Sequence, residues 1–151
     1  LTDILISSSH ASAQAPSAWG DNRNLVQSWR TSRTEVHQVA AADSRTAKSR
    51  IVASDAFART WLKVCWQAPG DGNCGRCSKC LLTMTCFDAV GALPLVAERF
   101  RAPLDPEAIR ALDLTAVVPG SLQVIQDEVP HFPDGPIRTA WLDVLPPHAV
   151  R

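Results

Sequence analysis

Four cysteines stand within sixteen residues, Cys65, Cys74, Cys77 and Cys80, in the spacing C-x8-C-x2-C-x2-C. A C-x2-C pair lets two thiolates reach one metal ion from a tight turn, and Gly75 keeps that turn passable. Two further sulfurs within reach complete a tetrahedron, the closed geometry that zinc takes in structural sites. Cys77 and Cys80 are three residues apart where a helical pattern begins, so both can face one side. A helix N-terminus favours thiolate over thiol, and Arg76 and Lys79 add positive charge beside it.

Other cysteine chemistries fit this spacing less well. Two disulfides would need an oxidising compartment, and the opening residues do not read as a secretory segment. A redox C-x2-C usually stands alone, and the hallmark spacings of iron–sulfur clusters differ. The expectation is one structural Zn2+ held by Cys65, Cys74, Cys77 and Cys80, in a reducing cytoplasm. The fifth thiol, Cys86, falls on the apolar face of the following helix and reads as buried and inert.

The elements that must position these ligands follow from periodicity. Ile4-Leu5-Ile6 is a short apolar run, consistent with a parallel strand buried on both faces. At its C-terminal edge, where open α/β sheets place ligands, Ser8, Ser9 and His10 are candidate substrate-pocket residues. Asp21 or Asn22 can cap a helix through Leu25, Val26 and Trp29, and Thr34 to Val39 alternates as a second strand. Asp43 or Ser44 can cap a helix running from Lys48 to Phe57, after which Trp61 to Val64 leads, extended, into Cys65. Trp61 and Trp66 bracket that first ligand and are expected to shield it from water. Gln67 to Asn73, with Pro69, Gly70 and Gly72, is a flexible arm that must fold back for Cys74 to meet Cys65. Leu81 to Val90 reads as an amphipathic helix stopped by Gly91.

Past Pro94, prolines cut the chain into short pieces. Asp105-Pro106-Glu107 starts one helix, and two more are expected over 121–128 and 136–145. Two regions follow: residues 1–93, an α/β portion with its zinc site at 65–80, and residues 94–151, a Pro-rich, mostly helical extension that could dock a protein partner. Fifteen basic and fifteen acidic residues cancel, which argues against nucleic acid and an anionic membrane as partners. No apolar run reaches the length of a membrane span.

Around the cysteines the sequence resembles the QueC-like, 7-cyano-7-deazaguanine synthase-related group of N-type ATP pyrophosphatases. The likeness rests on the cysteine spacing, on Asn73-Cys74-Gly75-Arg76-Cys77 continuing through Lys79-Cys80-Leu81 to Thr83-Met84, and on the segments Lys48 to Val52 and Thr60 to Cys65. It covers residues 4–92. The resemblance implies the C-terminal part of a doubly wound parallel-sheet, adenine nucleotide α-hydrolase-like fold. It also implies an ATP-dependent ligase or amidase that adenylates a carboxylate or amide oxygen before a nitrogen nucleophile displaces AMP. In that family the zinc holds the substrate-side lobe together. The family's Ser-Gly-Gly-x-Asp-Ser loop is not in this sequence, nor is a Gly-x4-Gly-Lys-[Ser/Thr] loop. The chain therefore reads as a portion of a longer enzyme, inactive alone. ATP, Mg2+ and a small-molecule substrate would belong to the whole protein, which could also be a homodimer. The alternative is a non-catalytic zinc module in which Lys63, Arg76 and Lys79 grip a protein or nucleic acid.

Overall fold

Residues 2–7, 23–117 and 119–146 are described by the structure, a computed structural model. The chain mixes helix and strand and divides into two compact units, Leu1–Ser44 and Arg45–Arg151.

In the first unit, β1 (Asp3–Ser7) pairs in parallel with β2 (Glu35–Val39), in the register Asp3 to Glu35 through Ser7 to Val39. Parallel neighbours need a crossover, and α1 (Arg23–Ser28) lies within it and packs on β2. Both expected strands form. The burial expected on both faces of β1 does not: Ile4 is 41% and Leu5 68% exposed. A sheet of two strands, as found among the described residues, has too few neighbours to cover both faces. On α1, Val26 is buried while Leu25 is exposed, and the helix ends before Trp29. His37 Nε2 meets Asp3 Oδ1 at 2.9 Å across the two strands, and that contact, with the Thr2 hydroxyl, holds the Asp3 carboxyl below its ordinary range.

The second unit is built around α4 (Ser78–Ala89). From Cys80 to Phe87 every residue except Thr83 is buried, so the helix expected to be amphipathic is instead covered on nearly all sides, as its run of apolar residues allows. It stops where the sequence places the stop. Gly91 takes φ 69°, its N–H bonds the carbonyl of Asp88, and Ala92 N–H returns to the carbonyl of Phe87, both at 2.9 Å. This is the paired 5→2 and 6→1 closure of a glycine-ended helix.

Helix α2 (Arg45–Ser54) packs along α4. The helix expected to run on to Phe57 breaks at Asp55, whose carboxylate accepts Ala58 N–H at 2.8 Å and starts α3 (Ala56–Thr60). An aspartate side chain competes in this way for backbone donors and favours a cap over a helix interior. Asp105 likewise caps α5 (Pro106–Arg110), which packs on α7 (Pro136–Val144).

Two buried polar contacts join the C-terminal helices to the rest of this unit. Trp141 on α7 is fully buried, and its indole N–H donates to Thr85 Oγ1 at 3.0 Å, while Thr85 donates to the carbonyl of Leu81 at 2.9 Å. Glu128 ends α6 (Pro119–Glu128), and its buried carboxylate accepts the N–H groups of Arg45 and Thr46 and the Thr46 hydroxyl. A negative charge at the first turn of α2 satisfies amides that the helix itself cannot. The division expected between 93 and 94 falls inside this unit, where one core takes Leu81 and Phe87 together with Ile109, Ile125 and Trp141. Among the described residues, no helix is long and apolar enough to cross a membrane.

Glu128→Ala leaves those amides uncapped in a dry environment. It should lower the unfolding free energy by about 1–3 kcal/mol in urea titrations, with the m-value unchanged.

Candidate metal centre

Cys65 reaches the centre at the end of the irregular segment 62–65, which Asn73 holds in place. The Asn73 side chain is inaccessible to solvent. Its Oδ1 accepts the N–H groups of Val64 at 2.8 Å and Cys65 at 3.0 Å, and its Nδ2 donates to the carbonyls of Leu62 and Arg99 at 3.0 and 3.1 Å. Its own backbone bonds Arg99 and Arg101, both at 2.9 Å, in a short parallel bridge. One buried amide, with both donors and its acceptor engaged, thus ties together the first ligand, the second ligand's loop and residues 99–101.

The arm 67–73 is fixed by cations rather than by regular structure. Lys63 Nζ donates to the carbonyls of Ala68, Gly70 and Gly72 at 3.0, 2.8 and 2.6 Å. Arg99 reaches the carbonyl of Asp71 at 2.7 Å and Arg101 that of Pro69 at 3.1 Å. Loop carbonyls without ladder partners are satisfied this way. The glycines and proline suggested flexibility; these side chains give the arm a defined path.

Gly75 stands at φ 76°, and a Cβ there would lie 2.5 Å from the carbonyl oxygen and 2.7 Å from the amide nitrogen of Ala102. Both its left-handed backbone and its close approach to another chain segment require glycine. The turn between Cys74 and Cys77 can therefore press against residue 102 while both sulfurs point inward.

The four sulfurs of Cys65, Cys74, Cys77 and Cys80 all lie within 4.8 Å of one another. Cys74 and Cys80 are 3.7 Å apart and Cys65 and Cys77 3.8 Å, well beyond a disulfide bond. A tetrahedron with zinc–sulfur bonds of about 2.3 Å has edges of about 3.8 Å, so the donor set fits a tetrahedral ion. Backbone N–H groups aim at the sulfurs: Ala68 at Cys65 (3.3 Å), and Arg76 and Cys77 at Cys74 (3.4 and 3.3 Å). Burial works against ionisation of Cys65, yet the N–H groups of Cys74, Ala68 and Gln67 bring it down to about 6. Burial first, and then the neighbouring sulfurs, push Cys77 and Cys80 up. Cys65 is thus held toward thiolate while Cys77 and Cys80 are held toward thiol, and a cation among the sulfurs would favour thiolate at every ligand. The four cysteines are positioned to hold a metal ion.

The surroundings differ from expectation in two respects. Trp61 and Trp66 are 61% and 78% exposed and do not form a dry cover. Instead Lys79 Nζ stands 3.7 Å above the centre of the Trp66 ring, a cation–π contact. Lys63, expected as a gripping residue, turns its three donors onto the arm. Cys86 is buried as expected, and burial, then the Glu128 charge, push its thiol up to about 12. Ser8, Ser9 and His10 lie outside the described residues. Asn73, the residue on which the centre's geometry depends most, reads from sequence only as the end of the arm and the start of the Asn73-Cys74-Gly75-Arg76-Cys77 run, because an asparagine between Gly72 and Cys74 carries the ordinary signature of a turn.

No family model, curated protein or solved structure matches this chain.

Asn73→Ala leaves buried amides and carbonyls without partners. It should cost roughly 2–4 kcal/mol and reduce bound metal per chain, read by elemental analysis of the purified variant. With its folded value near 12 and an unfolded value of about 8.5, Cys86 is a neutral thiol at pH 8. It should resist iodoacetamide in native protein at that pH and react once denaturant is added, as followed by mass spectrometry.

Proposed function

We propose that Cys65, Cys74, Cys77 and Cys80 hold one structural zinc ion that fastens the irregular segment 62–65 and its arm onto the start of α4. The observation that carries this reading is the pair of sulfur separations, 3.7 and 3.8 Å, which match a tetrathiolate edge. The ion supplies cross-linking and charge neutralisation; all four ligands are protein sulfurs, which leaves no open position for a substrate. The chain's own residues do the rest: Asn73 orients the approach of Cys65, Gly75 permits the turn, and backbone N–H groups stabilise thiolate at Cys65 and point at the Cys74 sulfur.

We further propose that this zinc-stapled unit is the C-terminal portion of a QueC-like ATP-dependent ligase or amidase, with β1, α1 and β2 as part of a doubly wound parallel sheet. The parallel β1–α1–β2 arrangement and the Asn73-Cys74-Gly75-Arg76-Cys77 run support the reading. In it, activation of a carboxylate or amide oxygen by ATP depends on residues outside this sequence. A second reading, a zinc-stapled interaction module, is favoured by the exposed rings of Phe57, Trp61 and Trp66.

Purified protein should contain one zinc per chain. Structural zinc is worth on the order of 10 kcal/mol, so chelation or Cys77→Ser should unfold much of the 45–151 unit, lowering helical circular dichroism, whereas Cys86→Ser should keep both fold and metal. Ligand thiols must be deprotonated to bind, so zinc affinity should fall as pH falls; a competition titration with a chromophoric chelator showing pH-independent affinity would count against thiolate ligation.

A further inference from the structure

The aromatic residues of the 45–151 unit fall into two sets. Phe87, Phe100, Phe132 and Trp141 are each no more than 8% exposed, whereas Phe57, at 75%, Trp61 and Trp66 are mostly in solvent. The exposed set occupies one short stretch, and formal charge concentrates in the same place. Residues 45–80 hold seven of the chain's fifteen Lys and Arg but two of its fifteen Asp and Glu; residues 81–151 hold five basic and nine acidic residues. The balanced total conceals this segregation. A tetrathiolate zinc would cancel about two of those positive charges and still leave an excess.

Along the chain the two residue types interleave, as Phe57, Arg59, Trp61, Lys63 and Trp66. Lys63 and Arg59 direct donors onto loop and helix carbonyls, but neither is neutralised. Among the described residues the ion pairs are His37–Asp3, Arg110–Glu107, Arg110–Asp143 and Arg138–Asp134. Arg50, Arg59, Lys63, Arg76 and Lys79 are in none of them. The Phe57 and Trp61 rings are tilted by 49° with centroids 6.2 Å apart, and both residues are mostly in solvent.

We propose that this segment binds single-stranded nucleic acid, with bases stacking on Phe57, on Trp61 and on the face of Trp66 opposite Lys79, and phosphates meeting Arg50, Arg76 and Lys79. Exposed aromatic rings and cations without carboxylate partners in one segment are what a strand of alternating bases and phosphates requires. An acidic peptide would use the cations and leave the rings idle. An anionic membrane calls for an amphipathic helix of aliphatic residues, and the five-residue α3 is not one. The inference deepens the interaction-module reading by naming its partner, and it does not depend on the enzyme reading.

The test is fluorescence anisotropy of the full zinc-loaded chain with labelled oligo(dT), oligo(U) and a duplex of equal length. Single strands should bind with Kd of roughly 1–100 µM at low salt, more tightly than duplex, and weaken steeply as salt rises. Trp61→Ala and Trp66→Ala should each weaken binding by at least about fivefold, and Trp66→Phe, which keeps a ring, should recover most of the loss. Arg76→Ala should flatten the salt dependence, while Arg110→Ala, outside the segment, should leave binding unchanged. Zinc content and melting temperature, measured on each variant, separate a lost surface from a lost fold. No single-strand binding by a folded, zinc-loaded sample overturns the proposal, and so does binding that ignores both tryptophan changes. Preferential binding of a poly-glutamate peptide overturns it while leaving the module reading intact.

Discussion

Four sulfur atoms gathered within 4.8 Å, two from nearly inaccessible residues, cannot all be ionised unless a cation lies among them. Everything else near the centre serves that constraint. The long arm between Cys65 and Cys74 has to close on itself, the Cys74–Cys77 turn has to press against residue 102, and α4 has to begin where its first turn can present Cys80. Without an ion, mutual repulsion or protonation takes the place of attraction among the sulfurs, and the cluster becomes a weak point of the unit.

The organisation around the sulfurs is notably polar. Asn73 works as a three-way junction among segments that share no regular sheet, and Lys63, Arg99 and Arg101 play the part of ladder partners for an arm with no strand of its own. Long cationic side chains suit that work because they reach several carbonyls and still keep their charge near water. Farther out, α4 supplies apolar contact on almost every side, and Trp141 and Glu128 each bring one specific polar contact to it or its neighbour α2.

Much of this was legible in residue types and spacing. The cysteine pattern marked the four sulfurs that converge, Gly91 and Asp105 marked a helix end and a helix start, and the alternation from Thr34 to Val39 marked β2. All four are local signals in which a side chain answers backbone needs within a few residues. The unread features are long-range. Glu128 caps a helix more than eighty residues earlier, and Asn73 bonds residues 62 and 99; neither partner leaves a trace in local sequence. The break at Asp55 was a local signal passed over, because helical period continued beyond it. The open faces of β1 mark a different limit, since apolarity predicts a wish for burial and does not supply the covering layer.

The Glu128 contact also bears on how the chain is made. The amides it satisfies, at residues 45 and 46, emerge from the ribosome 83 and 82 residues before it does. At synthesis rates of about 5–20 residues per second, α2 waits roughly 4–16 s for its cap. In the later part of that interval, once residue 80 has emerged, a nascent chain carries all four cysteines while α6 and α7 are still to be made, so the sulfurs can gather before the core closes.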